Sequence, residues 1–190
     1  MKPLRVVFAG TPQFSVAALE ALSHQASISL QAIYTQPDRP AGRGQSPQAS
    51  PIKQWGQAHA LPIYQPTTLK SPEAVQAFQA LQPDLLIVIA YGLILPKALL
   101  DIPRLGCLNV HTSLLPKYRG ASPIQGALLA VDSRTGVSIM QMDEGMDTGP
   151  IYPLATLAIA PHETAGTLHD KLMALSVPTL LGVIETLIAG

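Results

Sequence analysis

The only asparagine in the chain stands two residues before a histidine, in Asn109-Val110-His111. In an extended segment, residues i and i+2 project to the same side, so an amide and an imidazole would enter one space. Such a pair can stabilise negative charge on a carbonyl oxygen under nucleophilic attack. Downstream, Asp143-Glu144-Gly145-Met146-Asp147-Thr148-Gly149 supplies carboxylates on a glycine-flanked stretch. Amide, imidazole and carboxylate together are the parts of an acyl-transfer site. On the tripeptide alone the plainer alternative is favoured: both side chains simply hydrogen-bond loop backbone. The scarcity of asparagine is not a thermostability signal, because glutamine recurs throughout.

Positioning these groups needs a core, and 190 residues with 47% hydrophobic content suit a single domain, 1–190, with a buried sheet. Twelve basic and twelve acidic residues give zero net charge, so no basic excess of the kind carried by nucleic-acid binders is present. The single Cys107 excludes an internal disulfide and a cysteine metal cluster, and its apolar neighbours predict a buried, inert thiol. The apolar run after Lys2 is short and is broken by Gly10-Thr11-Pro12, unlike a signal peptide. No apolar segment is expected to reach the ~20 residues of a bilayer span. A soluble, cytoplasmic monomer with no membrane partner is the expectation.

Strand and helix patterns alternate. Residues 4–9 read as a buried strand and 14–22 as a helix; 28–34 is a second strand. Residues 36–51, rich in Pro, Gly, Ser and Gln, read as a long loop. A helix is expected over 51–60, a short strand over 61–64, and a helix over 71–81 capped by Ser71 with Pro72 in its first turn. Residues 85–90 form the strongest buried strand, and 107–110 a short one ending in the Asn–His pair. A helix over 121–130, a strand over 136–142, an antiparallel strand within 151–159 and a helix over 164–188, bent near Pro178, complete the chain. This alternation predicts an α/β fold: a doubly wound, mostly parallel sheet, Rossmann-like, with helices on both faces. Ligands in such sheets bind at the carboxyl ends of strands, where Asn109 and His111 would stand.

Several chemistries are disfavoured. Gly10-Thr11-Pro12-Gln13-Phe14 lacks the Gly-x-Gly-x-x-Gly spacing, and Pro12 removes a backbone donor. No phosphate-loop lysine motif and no Gly-x-Ser-x-Gly elbow occur. His24, His59, His111, His162 and His169 show no paired ligand spacing, so no metal is expected; all but His111 read as helix-surface or capping residues.

The run from Asn109 to Gly120, Asn-x-His-x-Ser-Leu-Leu-Pro-x-Tyr-Arg-Gly, resembles the signature of formyltransferases that use 10-formyltetrahydrofolate. Phe8-Ala9-Gly10-Thr11-Pro12, the Thr35–Gly44 segment with Gln36-Pro37-Asp38-Arg39-Pro40-Ala41-Gly42-Arg43-Gly44, Ala90-Tyr91-Gly92-Leu93-Ile94-Leu95-Pro96 and the 143–149 stretch follow in family order. The Gln-Pro-Asp-Arg-Pro segment and the Arg-Gly after the aromatic resemble the methionyl-tRNA-directed branch. The resemblance spans nearly the whole chain.

That resemblance implies Asn109, His111 and Asp147 as the catalytic set. It implies a folate slot between the backbone around Leu86, Ile89 and Tyr91 and the Ser113-Leu114-Leu115-Pro116 loop, with Asp143 nearby. Leu114, Leu115 and Pro116 could equally only shape their loop, and Arg119 could be an ion-pair partner rather than a substrate contact. It implies 10-formyltetrahydrofolate as co-substrate and initiator methionyl-tRNA as acceptor, met by Arg39 and Arg43 of the 36–51 segment. Those arginines could also be merely solvated. Members of that branch continue into a linker and a small β-barrel that helps hold tRNA; by this comparison the chain is expected to be the catalytic domain without that barrel, and to bind tRNA weakly. Other acceptors, a formyl hydrolase or a non-catalytic folate-binding module are the rivals.

Overall fold

Continuous apolar runs dictate the sheet at the centre of the first unit, Met1–Cys107. β1 (Leu4–Gly10) and β6 (Leu85–Ile89) are almost wholly buried, as strands covered on both faces must be. The computed structural model describes residues 2–190. β1 pairs in parallel with β2 (Ile28–Tyr34) on one side and with β6 on the other. β5 (Ile63–Tyr64) extends the sheet beyond β2, giving the order β5-β2-β1-β6. The chain therefore winds outward from β1 one way, then returns to β1's other side, leaving a switch point at the carboxyl ends of β1 and β6.

Helices make these crossovers. α1 (Ser15–Ser23) joins β1 to β2 and buries Ala18, Leu19 and Leu22. α2 (Pro51–Ala58) starts where Ser50 accepts the Lys53 amide at 3.0 Å, with Pro51 in its first turn. α3 (Pro72–Ala80) repeats the device with Ser71, which accepts the Ala74 amide at 3.2 Å, and Pro72. A short α4 (Lys97–Leu100), not anticipated from the sequence, follows the 90–96 segment. His24 and His59 stand at the C-terminal caps of α1 and α2.

The 36–51 segment corrects the expectation of an unstructured loop. It folds as a hairpin, β3 (Arg39–Ala41) antiparallel to β4 (Ser46–Gln48), with Pro40 opposite Pro47. Two prolines facing one another lose nothing where the ladder makes no hydrogen bond, and a detached two-stranded hairpin has such positions. Proline-rich composition hid the strands. Gly42 and Gln45, both left-handed, close the turn.

The second unit, Leu108–Gly190, opens inside β7 (Cys107–His111). β8 (Arg134–Gln141) runs antiparallel to β7, and β9 (Ala155–Ala158) antiparallel to β8, as the partial alternation of 151–159 implied. α5 (Pro123–Leu129) precedes β8. α6 (Ala165–Ala189) begins at Thr164, whose side chain and that of Thr167 cap each other's backbone amides. The helix runs as one element through Pro178, so the expected bend does not interrupt it. It buries Leu168, Leu172, Ser176, Leu180, Val183 and Ile184, a three-to-four-residue stripe, and packs on α5, β8 and β9. Among the described residues α6 alone is long and apolar enough to cross a membrane by length and composition, with mean hydropathy 1.9. That corrects the expectation that no segment has this character: Ser176, Pro178, Thr179 and Gly182 break the apolar run, yet the average over the window stays high. The α/β class with a mostly parallel sheet stands as expected.

Candidate active site

In the second unit the carboxyl end of β7 carries Asn109 and His111 on one face, opposite Met140 and Ser138 of β8. His111 is 7% exposed, while Asn109 is half-buried and its amide has no hydrogen-bond partner among the described residues. β8 also fastens the loop that follows. The buried Ser138 hydroxyl donates to the Ser113 carbonyl at 2.6 Å and accepts the Leu115 amide at 3.1 Å.

The His111 ring is held from two sides. Its Nε2 lies 2.8 Å from the main-chain oxygen of Tyr118. A carbonyl only accepts, so Nε2 carries the hydrogen. Nδ1 then faces Asp147, whose Oδ2 is 3.6 Å away; both side chains are largely buried, at 8% and 12% exposure. Asp147 is fixed in turn by the two residues after Tyr118. The Gly120 amide donates to Asp147 Oδ2 at 2.7 Å, and Arg119 Nε donates to the Asp147 carbonyl at 3.0 Å. Arg119 thus serves the backbone of the carboxylate loop, a role that its sequence position did not distinguish from an ion pair or a substrate contact.

The loop bearing Asp147 is organised by Asp143. Its Oδ1 accepts the Gly145 amide at 2.9 Å and the Thr148 hydroxyl at 2.7 Å, so this carboxylate folds the turn. Asp147 itself is left-handed at φ 53°, as is Tyr118 at φ 56°. Asp tolerates this region better than most residues; Tyr does not, and surrounding structure must hold it there.

The remaining candidates divide by side chain and backbone. Ser113 is fully buried and its hydroxyl donates to the Lys117 carbonyl at 2.5 Å, closing its own loop. Leu115 is buried, Leu114 half-buried and Pro116, joined to Leu115 by a cis peptide bond, exposed. In the first unit, Leu86, Ile89 and Tyr91 point their side chains into the core, at 2–3% exposure. The Ile89 carbonyl accepts the Ser15 hydroxyl at 3.0 Å, and the Tyr91 carbonyl accepts Thr11 Oγ1 at 2.9 Å and Gln36 Nε2 at 3.3 Å.

Those last contacts border a cavity of about 450 Å³ within the first unit, lined by Thr11, Gln36, Arg39, Ser50, Tyr91 and Gly92 among others. It lies at the switch point beyond β1 and β6. Sequence reasoning gave no site role to Thr11, Gln36 or Ser50; the available signals were that Thr11 and Gln36 lie in family-like segments and follow β1 and β2 of a doubly wound pattern. Arg39 donates to Gln36 Oε1 at 3.3 Å, whereas Arg43, at the hairpin tip, is exposed and engages no partner among the described residues. Asp38 pairs with Lys53 at 2.7 Å and accepts Gln65 Nε2 at 2.7 Å, and the Lys53 hydrogen bond holds its carboxyl below the usual range. Cys107 is buried as expected, and desolvation pushes its thiol up to about 12, far from a working nucleophile.

The second unit thus brings together, at the end of β7, an amide, an imidazole and a carboxylate clasped to it from a neighbouring loop, residue types that acid–base and oxyanion chemistry use. Comparison with known proteins points the same way. The family model for formyl transferase matches residues 4–184. The chain is 58% identical over 187 residues to a protein named methionyl-tRNA formyltransferase from Legionella pneumophila (strain Paris), covering 98% of this chain and 59% of that protein. It is 53% identical over 189 residues to one of the same name from Pseudomonas savastanoi pv. phaseolicola, covering 100% of this chain and 60% of that protein. The chain therefore spans about three-fifths of the length of these relatives. Among solved structures, phosphoribosylglycinamide formyltransferase from Bacillus halodurans superposes with a TM-score of 0.77 at 26% identity, over 92% of this chain and 90% of that one. The match over residues 4–184, with the strand-end amide and the clasped imidazole–carboxylate pair inside it, shows that the chain belongs to the formyl transferase family.

Proposed function

We propose that the chain transfers a formyl group from 10-formyltetrahydrofolate to the α-amine of methionine on initiator tRNA, serving translation initiation in the cytoplasm. The observation that carries the reading is the identity of 58% to a relative of that name over 98% of this chain, a span that includes the His111–Asp147 clasp. Asn109, His111 and Asp147 are the proposed working groups. The neutral amine attacks the formyl carbon, a new C–N bond forms, and the bond from that carbon to the folate nitrogen breaks. The Asn109 amide donates to the oxygen that becomes negative on attack. His111, through the nitrogen facing Asp147, moves the proton lost by the amine toward the folate nitrogen that leaves, work worth roughly 10²–10⁴ in rate.

Two segments are proposed to contact folate, each within its own unit: the backbone from Leu86 through Ile89 to Tyr91, whose side chains are turned inward, and the Ser113–Pro116 loop. In the loop Ser113 acts by shaping the turn and the Leu115 amide is held by Ser138, so the half-buried Leu114, the exposed Pro116 and the Leu115 carbonyl between them are the parts offered to a flat ring. Asp143 supports the Asp147 loop beside it. Arg39 and Arg43 on the hairpin are proposed to meet tRNA phosphates, with Arg43 the freer of the two.

The test follows formyl-labelled 10-formyltetrahydrofolate with methionyl initiator tRNA, with uncharged tRNA and with no acceptor. It is run on the 190-residue chain and on a chain extended to the relatives' full length. Label on methionyl-tRNA alone is the expected result. Release of formate without an acceptor would assign a hydrolase instead, and folate binding with neither outcome would leave a binding module.

A further inference from the structure

We infer that Tyr118 is a positioning residue for the His111 imidazole, and that Asp132 is its anchor. The inference deepens the proposed function and rests on it, because it concerns the ring given the proton-transfer role there. His111 Nε2 donates to the Tyr118 carbonyl at 2.8 Å, so the ring's orientation follows wherever that carbonyl stands. The carbonyl belongs to a left-handed residue, φ 56°, a conformation an aromatic residue keeps only when its surroundings over-determine it.

Two contacts of the side chain do so. The Tyr118 ring lies against Gly126 on α5, where a Cβ would fall 2.6 Å from ring atom Cδ1. Only glycine leaves that hollow open. At its far end, Tyr118 Oη donates to Asp132 Oδ2 at 2.8 Å, a hydrogen bond strengthened by the carboxylate's charge. Asp132 is itself set by backbone, since its amide donates to the Ala127 carbonyl at 3.0 Å at the end of α5. Lys117 also reaches Asp132, at 3.3 Å, but is 63% exposed and adds little.

A continuous path results: the end of α5 holds Asp132, Asp132 holds the ring, and the ring fixes the carbonyl on which His111 rests. Two residues further on, Gly120 donates to Asp147. The segment 118–120 therefore sets both members of the His111–Asp147 pair, and its outer fastening is the Tyr118–Asp132 bond. That bond marks both partners. It holds the Asp132 carboxyl below its usual range and raises the Tyr118 hydroxyl above its own.

The test uses Tyr118→Phe, which keeps the ring in its hollow and removes only Oη, and Asp132→Asn, which keeps the shape and weakens the acceptor. Lys117→Ala is the control. The first readout is the ¹⁵N–¹H correlation of the His111 imidazole; the second is formyl transfer, with kcat and KM separated. Both variants should shift the His111 Nε2 resonance and speed exchange of its hydrogen. They should lower kcat about tenfold with KM for folate unchanged, as expected for a misplaced but still bound reacting group. Lys117→Ala should change neither. A merely structural role would lower thermal stability and leave the resonance and kcat where they were; that outcome in both variants overturns the inference. Because the resonance needs no substrate, it separates the two ideas. A shifted resonance in a chain that transfers no formyl group upholds the positioning of His111 and retires the reaction.

Discussion

Replacing Gly120 by alanine sets two energies of the clasp against each other. Gly120 sits at φ +84°, where an L-residue pays roughly 1–2 kcal/mol. The new Cβ would meet Met146 Sδ at 3.2 Å, but that sulfur is the tip of a side chain 73% exposed and can swing away at small cost. Against the strain stands the bond from the Gly120 amide to Asp147 Oδ2 at 2.7 Å, a hydrogen bond to a charged group worth roughly 1.5–3 kcal/mol. Relaxing the turn would surrender the larger quantity to recover the smaller. The turn should therefore persist in Gly120→Ala, which bears the strain as lost stability. For a chain of this size a loss of about 1–2 kcal/mol lowers Tm by roughly 2–8 °C. With Asp147 still held, the transfer rate should fall by less than about threefold, since the reacting groups stay in place. Gly120→Pro is the contrasting case. Proline has no amide hydrogen and locks φ near −65°, so the donor and the turn go together. Its transfer rate should fall about tenfold or more as Asp147 leaves its place opposite His111. Thermal melts followed by circular dichroism, with single-turnover transfer below the melting range, measure both quantities. If Gly120→Ala loses as much transfer as Gly120→Pro while its Tm is unchanged, the turn has given way and the ordering of the two energies is wrong.

Asn109→Ala should lower kcat by roughly 10²–10³ while leaving folate affinity within a few fold, because its amide acts on charge that develops only during attack; loss confined to affinity would remove it from the oxyanion role. Asp132 titrates below its usual range in the folded chain because of the Tyr118 hydrogen bond, so its contribution is present above the ordinary carboxylate pKa and disappears as pH falls through the lowered one. Wild type and Tyr118→Phe should thus differ in urea midpoint at pH 7, with the gap closing only as pH falls below the ordinary carboxylate range and through the lowered Asp132 value; a gap that begins to close well above that range would deny the coupling. Arg43→Ala should weaken transfer to tRNA, leave folate affinity intact and reduce the slope of log K against log salt by about 0.9, the loss of one phosphate contact. With zero net charge and two exposed hairpin arginines, that slope should be shallow in the 190-residue chain to begin with.

The parts of the fold that burial dictates were legible in the sequence, and the parts that backbone exceptions dictate were not. Apolar runs marked β1 and β6, Pro51 marked the start of α2 and the Ser71-Pro72 pair the start of α3, because each signal is local and strong. The hairpin of β3 and β4 escaped notice because its composition signals the opposite of what its pairing allows. Prolines at 40 and 47 are tolerated because they face one another at a position where the ladder makes no hydrogen bond, a fact of register rather than of composition.

The candidate site divides along the same line. Residue types at Asn109 and His111 suggested a chemistry, the family resemblance pointed to Asp147 within the 143–149 stretch, and strand alternation put the first two on one face. What holds the third in place is written in conformations that no spacing rule reports. Tyr118 at φ 56°, Gly120 at φ 84° and Asp147 at φ 53° are three left-handed residues on two loops, joined by hydrogen bonds. For the two non-glycine residues such a conformation costs of order 1–3 kcal/mol each and survives only under the constraint of neighbours. Those neighbours lie at 126 and 132, beyond the motif that attracted attention. A glycine in a helix ordinarily reads as a weak point, but at 126 its missing Cβ is what admits the Tyr118 ring. The Arg119-Gly120 pair is thus best understood as carboxylate-holding machinery. Arg119 spends its Nε on the Asp147 carbonyl rather than on a ligand, so Arg119→Lys, which keeps the charge and cannot reproduce that Nε donor, should loosen the Asp147 loop as much as Arg119→Ala does. Equal hydrogen-exchange protection of the 143–149 amides in wild type and Arg119→Lys would show instead that charge alone suffices, and the clasp would reduce to Gly120 and Tyr118.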